Sequence, residues 1–184
     1  MTTEDDARTT LLDTAENLFY ERGYQAVGMA ELRQASGLSL KRIYALYPGK
    51  DTLAVAMLDR RDLRWRGELT AFVDRRTDPR SRLLAVFDWL HLWLSGPGHR
   101  GCAWINAFGE LGGTSVEVVA AVRRHKDAFR TYLGTLCADI SGSPTLPDAV
   151  FLLAEGCMTT AGITGDPDSA RRSRGVLEVL LGDG

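Results

Sequence analysis

"SGLSLKRIYALYPGKDTLAVAM", residues Ser36 to Met57, is the stretch whose reading decides the fold. Gly37 supplies a tight turn and Leu38 an apolar plug. Ser39 places a side-chain oxygen where the first free N–H groups of a helix need an acceptor. Pro48-Gly49 ends that helix, because proline disfavours helical geometry in the residue before it. On a wheel of about 100° per residue with Ile43 facing inward, Leu40, Leu46 and Tyr47 share the inward half. Lys41 and Ala45 point outward, flanked by Arg42 and Tyr44. Two cations, a phenol and a small alanine suit a major groove: the cations reach guanine acceptors or phosphates, and the alanine reaches a thymine methyl. Lys50 opens the next helix, where free N–H groups already favour a phosphate. The charged residues from Leu32 to Lys50 are Arg33, Lys41, Arg42 and Lys50, all positive. A solvated basic face is the plain alternative, and the tight glycine turn between two short helices argues against it.

Upstream, Leu11, Ala15, Leu18 and Phe19 recur at three- and four-residue spacing and predict a helix from about Asp6 to Arg22. Gly23 is its stop, and Tyr24 is placed to fold back on the last turn. A second short helix fits Met29 to Ala35. The first fifty residues are thus three short helices with the shape of a helix-turn-helix unit. Downstream, a fourth helix runs from Lys50 to about Arg76. Five more follow, over about Pro79–Ser95, Cys102–Leu111, Ser115–Ile140, Pro147–Thr164 and Asp168–Leu181. Their separators, Gly-Pro-Gly, Gly-Gly-Thr, Ser-Gly-Ser-Pro and Gly-Asp-Pro, are turn chemistry. Alternating β-branched runs are missing from the sequence, so the fold class is all-α with about nine helices.

The chain has 184 residues, 45% hydrophobic and 25% charged, the composition of a globular protein rather than a disordered one. Net charge is −2, so any nucleic-acid binding rests on a local basic face. The longest apolar run considered, Leu83 to Leu94, is interrupted by Asp88 and His91 and is too short to span a bilayer. The acidic start MTTEDDAR is unlike a signal peptide. Three cysteines, Cys102, Cys137 and Cys157, lack C-x-x-C spacing and read as reduced thiols of a cytoplasmic protein.

The stretch from Leu11 to Leu53 resembles the DNA-binding domain of the TetR family of bacterial transcriptional regulators. "AENLFYERGY", "MAELRQASGLS" and "IYALYPGKDTL" follow the family pattern AA-x-LF-x-x-x-GY, x-x-IA-x-x-AGVS, LY-x-HF-x-x-K-x-x-L. There are departures. Gly28 and Met29 stand where the family often has threonine, which weakens the cap of the second helix. Leu46 replaces a frequent histidine, and Ser39-Leu40-Lys41-Arg42 replaces Ser-Lys-Gly-Thr. The resemblance implies a helix-turn-helix domain over residues 1–50 and a helical sensing and dimerisation domain over 51–184. It implies DNA contacts from Ser39, Lys41, Arg42, Tyr44 and Lys50, with Tyr44 and Lys50 on phosphates and Lys41 and Arg42 at base-reading positions.

All four tryptophans, Trp65, Trp89, Trp93 and Trp104, lie outside the reading unit. The run LLAVFDWLHLWL, residues 83–94, is apolar on nearly every side and must be covered all round. In RGCAWINAFGELGG, Cys102, Asn106 and Glu110 are spaced by four and share a face. A large apolar site with few polar groups is how small molecules are held. The expected ligand-facing residues are Trp65, Trp89, Trp93, Trp104, Asn106, Phe108, Glu110, Phe151 and Glu155, although aromatics at helical spacing are more often core. The last two helices carry apolar stripes, with Leu152, Leu153, Gly156, Thr160, Val176, Leu177 and Leu180 as the expected dimer interface. By resemblance these would form a four-helix bundle with a second copy. The expected partners are a double-stranded DNA operator, a small-molecule ligand and a second copy, with no membrane, no cofactor and no metal.

The leading reading is a dimeric, ligand-responsive transcriptional repressor, and an enzyme is its first rival. Cys102 lies near His99, but a third orienting group, a nucleophile elbow and a phosphate loop are not recognisable. His91, His99 and His125 lack metal-ligand spacing. The second rival is a DNA-binding regulator controlled by a protein partner, or one that answers to no ligand.

Overall fold

The computed structural model describes residues 3–140 and 144–182, which form α-helices and turns. The helices are α1 (Glu4–Arg22), α2 (Met29–Ser36), α3 (Leu40–Leu46), α4 (Lys50–Val73), α5 (Pro79–Leu94), α6 (Ala103–Leu111), α7 (Val116–Ala138), α8 (Leu146–Thr164) and α9 (Asp168–Leu180). They match the expected set to within a few residues at each end. The turn expected over Ser-Gly-Ser-Pro lies, but for Pro144, outside the described residues.

Two compact units result, one of residues 1–63 with 103–124, the other of 64–102 with 125–184. The boundary expected after residue 50 therefore falls inside the first unit, at the start of α4.

In the first unit, α1 begins two residues earlier than its apolar spacing predicts, because Thr3 and Asp6 form a capping box. The Thr3 hydroxyl accepts from the Asp6 amide and the Asp6 carboxylate accepts from the Thr3 amide, both at 3.1 Å. Hydrogen bonding to Thr3 holds the Asp6 carboxyl below its ordinary range. Leu11, Ala15 and Phe19 are buried as their spacing requires, and they meet Val27, Leu32, Ile43, Leu53 and Leu58 in one core. Tyr24 stacks on Phe19 with ring centroids 5.0 Å apart. Gly23 sits at φ 89°, a backbone conformation that favours glycine, and it lies beside the Glu110 carboxylate. Arg61 is buried, pairs with Glu16 at 2.8 Å and lies 4.4 Å from the Tyr20 ring centroid.

In the second unit, Asp78 caps α5 by accepting from the Ser81 amide at 2.7 Å, and Pro79 fits the first turn, where its missing N–H costs nothing. α5 buries Leu83 through Phe87, Trp89, Leu90, Trp93 and Leu94, as an all-round apolar helix must. α8 and α9 pack on it and on each other. The turn before α6 comes close to α8: a Cβ on Gly101 would lie 2.6 Å from the Met158 carbonyl oxygen, and one on Gly162 would lie 2.8 Å from the Arg100 carbonyl oxygen. Leu146–Thr164, longer than the run of residues 83–94 that the sequence suggested as the longest apolar one, is long and apolar enough to cross a membrane by length and composition, with mean hydropathy 1.2. One face of it, Val150, Ala154, Cys157, Met158 and Ala161, is buried within the protein, while about a third of the apolar window is buried in all.

Candidate nucleic-acid interface and sensing residues

α3 is built by the signals in its sequence. The Ser39 hydroxyl accepts from the Arg42 amide at 3.2 Å, and the Tyr47 amide closes the last turn on the Ile43 carbonyl at 2.9 Å. Gly37 takes the left-handed conformation, φ 69°, that separates α2 from α3. α2 begins at Gly28 without a side-chain cap, as the departure at this position predicts. Ile43 and Leu46 are buried, while Lys41, Tyr44 and Ala45 are exposed and Arg42 is half-buried. Leu40, expected inward, is 39% exposed and extends the outward face. Tyr47 is buried, its hydroxyl accepting from Arg8 at 3.3 Å, so it ties α1 to the end of α3.

Lys50 is placed differently from the expectation. Its ammonium donates to the Tyr24 carbonyl at 2.8 Å and the Val27 carbonyl at 3.2 Å. Those carbonyls belong to the connection between α1 and α2, so Lys50 clasps the three-helix unit. Ser39 likewise uses its hydroxyl as the cap of α3. The outward cations are Lys41 and Arg42.

Of the expected ligand-facing residues, the second unit gathers Trp65, Trp89, Trp93 and Phe151. Trp65 meets Trp89 edge-on at 5.1 Å, Trp93 at 6.0 Å and Phe129 at 5.1 Å, and Phe151 approaches Phe129 at 6.1 Å. Edge-on rings at these separations are favourable aromatic packing. Trp104, Asn106, Phe108 and Glu110 lie on α6 in the first unit, where Trp104 is buried and Phe108 is 54% exposed. The Glu110 carboxylate accepts from the Gln25 amide at 2.8 Å, and the Gln25 side chain donates to the Glu110 carbonyl at 2.7 Å. Glu110 thus holds the connection after α1.

Glu155 ion-pairs with Lys126 at 2.5 Å, and the same ammonium reaches Cys102 Sγ at 3.3 Å. Burial alone would raise the Cys102 thiol, but Lys126 and a hydrogen bond with His125 outweigh it and bring the thiol down to about 7. Burial also works against the charge on Lys126, yet Cys102 and Glu155 raise its pKa and keep it an ammonium. No local spacing joins Lys126 and His125 to Cys102; the Lys126 contact spans 24 residues and is made by packing.

The expected interface residues divide. Leu152, Leu153, Gly156, Thr160 and Val176 line an open groove between α8 and α9 with Arg172 at its edge. Leu152 is 67% exposed, and Leu180 is exposed too. Leu177 is fully buried, 0% exposed, because its position on α9 faces the core. Contrary to the expectation, Leu177 belongs to the packing of the unit and offers no surface to a second copy.

A glycine-separated pair of short helices, the second presenting cations outward from a closed apolar core, defines a helix-turn-helix DNA-binding protein. Residues 11–57 match the model described as bacterial regulatory proteins, tetR family. The chain is 30% identical over 134 residues to an uncharacterised HTH-type transcriptional regulator of Mycobacterium tuberculosis, a match covering 70% of this chain and 63% of that one. It is 31% identical over 86 residues to the HTH-type transcriptional repressor NemR of Escherichia coli, covering 46% of this chain and 43% of NemR. Among solved structures, a TetR-family transcriptional regulator from Streptomyces coelicolor superposes with a TM-score of 0.87 at 27% identity, over 95% of this chain and 94% of that one. The chain thus carries a DNA-binding domain of the TetR family, residues 11–57, on a fold shared with TetR-family transcriptional regulators, and it spans less than two thirds of the length of the Mycobacterium tuberculosis relative.

Proposed function

We propose that the protein is a homodimeric repressor that leaves a near-palindromic operator when a small apolar or amphipathic ligand occupies its tryptophan-rich unit. The observation that carries the reading is the outward face of α3. Lys41, Tyr44 and Ala45 are exposed and Arg42 is half-buried beside them, over a core sealed by Ile43, Leu46 and Tyr47. Lys41 and Arg42 read base edges, and Tyr44 steadies the helix on a phosphate. The exposed groove between α8 and α9 supports assembly with a second copy. An isologous contact there uses the same apolar stripe twice. Two reading helices about one turn of DNA apart, roughly 34–36 Å, then select a site with two-fold symmetry. The protein acts in the cytoplasm, where the DNA is, and does so without catalysis.

The ligand part of the reading is supported by the aromatic cluster of Trp65, Trp89, Trp93, Phe129 and Phe151, whose neighbouring ring centroids lie 5.1–6.1 Å apart. The test has two arms. DNA fragments selected by the purified protein are sequenced: enrichment of near-palindromic sites supports the reading, and recovery of unrelated fragments removes it. Thermal melts against a metabolite panel then find any binder, which stabilises by mass action. A binder that leaves operator affinity unchanged would defeat the sensor mechanism, since equal affinity for both states shifts no equilibrium.

A further inference from the structure

The leucines that build the core of the helix-turn-helix unit are hidden from water: Leu11, Leu32, Leu53 and Leu58 are 0% exposed. Leu40 is not one of them. It is 39% exposed, and among the described residues up to position 62 the exposed large apolar side chains are Leu40 and Tyr44. Their spacing of four stacks them on one face of α3, with exposed Lys41 and Ala45 alongside and half-buried Arg42 at the edge. The first turn of α3 carries no acidic residue. The Ser39 hydroxyl, accepting from the Arg42 amide at 3.2 Å, fixes that turn and with it the direction in which Leu40 points.

A single exposed leucine is ordinary on a protein surface. This one lies on the face that carries Lys41 and Ala45, and it has neither a charge nor a hydrogen-bonding group. It therefore attracts no phosphate and pairs with no polar base edge. What it can do in a major groove is take an apolar group out of water, and the apolar group that a base edge presents there is the thymine C5-methyl. We propose, resting on the DNA-reading role of α3, that Leu40 is a specificity-determining residue: it covers the C5-methyl of one thymine in each half-site, next to the base pairs reached by Lys41 and Arg42. Neighbouring side chains of one short helix then select by two kinds of contact. The cations answer to guanine acceptors, and Leu40 answers to a methyl that cytosine lacks.

The size of the effect follows from the area of one methyl. Burying it is worth about fourfold in affinity. A site with two-fold symmetry holds two such contacts, so losing both costs roughly 15-fold where they act independently. A methyl contact displaces no counter-ion, so its contribution stays constant as salt is raised, unlike that of a phosphate contact.

The full-length protein selects duplexes from a random-sequence library. The enriched duplex is then resynthesised with deoxyuridine in place of each thymine in turn, which removes the methyl and keeps the hydrogen-bonding edge. For the parent, one replacement in each half-site should weaken binding about fourfold, by the same factor across a salt series. Leu40→Ala should bind the thymine duplex about as weakly as the parent binds the uracil one. It should no longer distinguish the two at that position, with circular dichroism confirming the fold. Parent affinity unmoved by every replacement would overturn the proposal, and so would a folded Leu40→Ala protein that keeps the whole preference. If Leu40→Ala does not fold, Leu40→Gln, polar and of similar length, takes its place in the same comparison. A library from which the parent enriches no sequence refutes the DNA-reading role of α3 itself. An enriched sequence indifferent to its thymine methyls refutes the role of Leu40 alone.

Discussion

Replacing Lys50 with methionine keeps the aliphatic stem and removes the ammonium. The structure assigns that ammonium two acceptors, the Tyr24 and Val27 carbonyls. Hydrogen bonds to a charged group contribute about 1.5–3 kcal/mol each where they are shielded. Lys50 is only half-buried, so water returns to both carbonyls in the variant and the total loss falls to about 2 kcal/mol. For a chain of this size 1 kcal/mol moves the melting point by about 2–4 °C, so Lys50→Met should lower it by about 4–8 °C. A phosphate-binding lysine behaves in another way. Its removal leaves stability nearly unchanged and reduces the salt slope of DNA affinity by about 1. The two measurements, a thermal melt and DNA affinity across a salt series, separate the roles cleanly. A melting point within about 1 °C of the parent, together with a flattened salt slope, would refute the clasp and restore Lys50 as a phosphate contact.

Arg42→Ala or Lys41→Ala should cost roughly 1–3 kcal/mol at particular base pairs and relax preference there; uniform losses across operator variants would show that neither cation reads bases. Leu152→Glu adds charge to an exposed site on α8 and should leave the fold intact while sedimentation shows monomers. Leu177→Glu buries an unpaired carboxylate in a fully enclosed position and should unfold the protein rather than dissociate it; a folded monomer there would put Leu177 back in the interface. Glu110→Ala removes the acceptor of the Gln25 amide and should speed hydrogen exchange at that amide several-fold, with a stability loss of about 1 kcal/mol.

Local chemistry settled a great deal before any folding. Period-3.6 spacing at Leu11, Ala15 and Phe19, glycine at positions 23 and 37, the Ser39 cap and the Pro48 stop place α1 to α4 to within a few residues at each end. The outward face of α3 follows from the same wheel, since a helix bounded on both sides has one inward direction once Ile43 is buried. These signals act within four residues, the reach of a helical hydrogen bond. What side chains at the ends of long stems do is decided elsewhere. Lys50 finds carbonyls 26 and 23 residues away, Lys126 finds Cys102 at a separation of 24, and Glu110 finds Gln25 at 85. An apolar stripe also reads alike whether it faces a core or a second copy. α9 carries Val176 and Leu177 side by side, and only the way it packs on α5 and α8 buries one and exposes the other. Periodicity specifies that a helix has an apolar face; tertiary packing specifies what covers it.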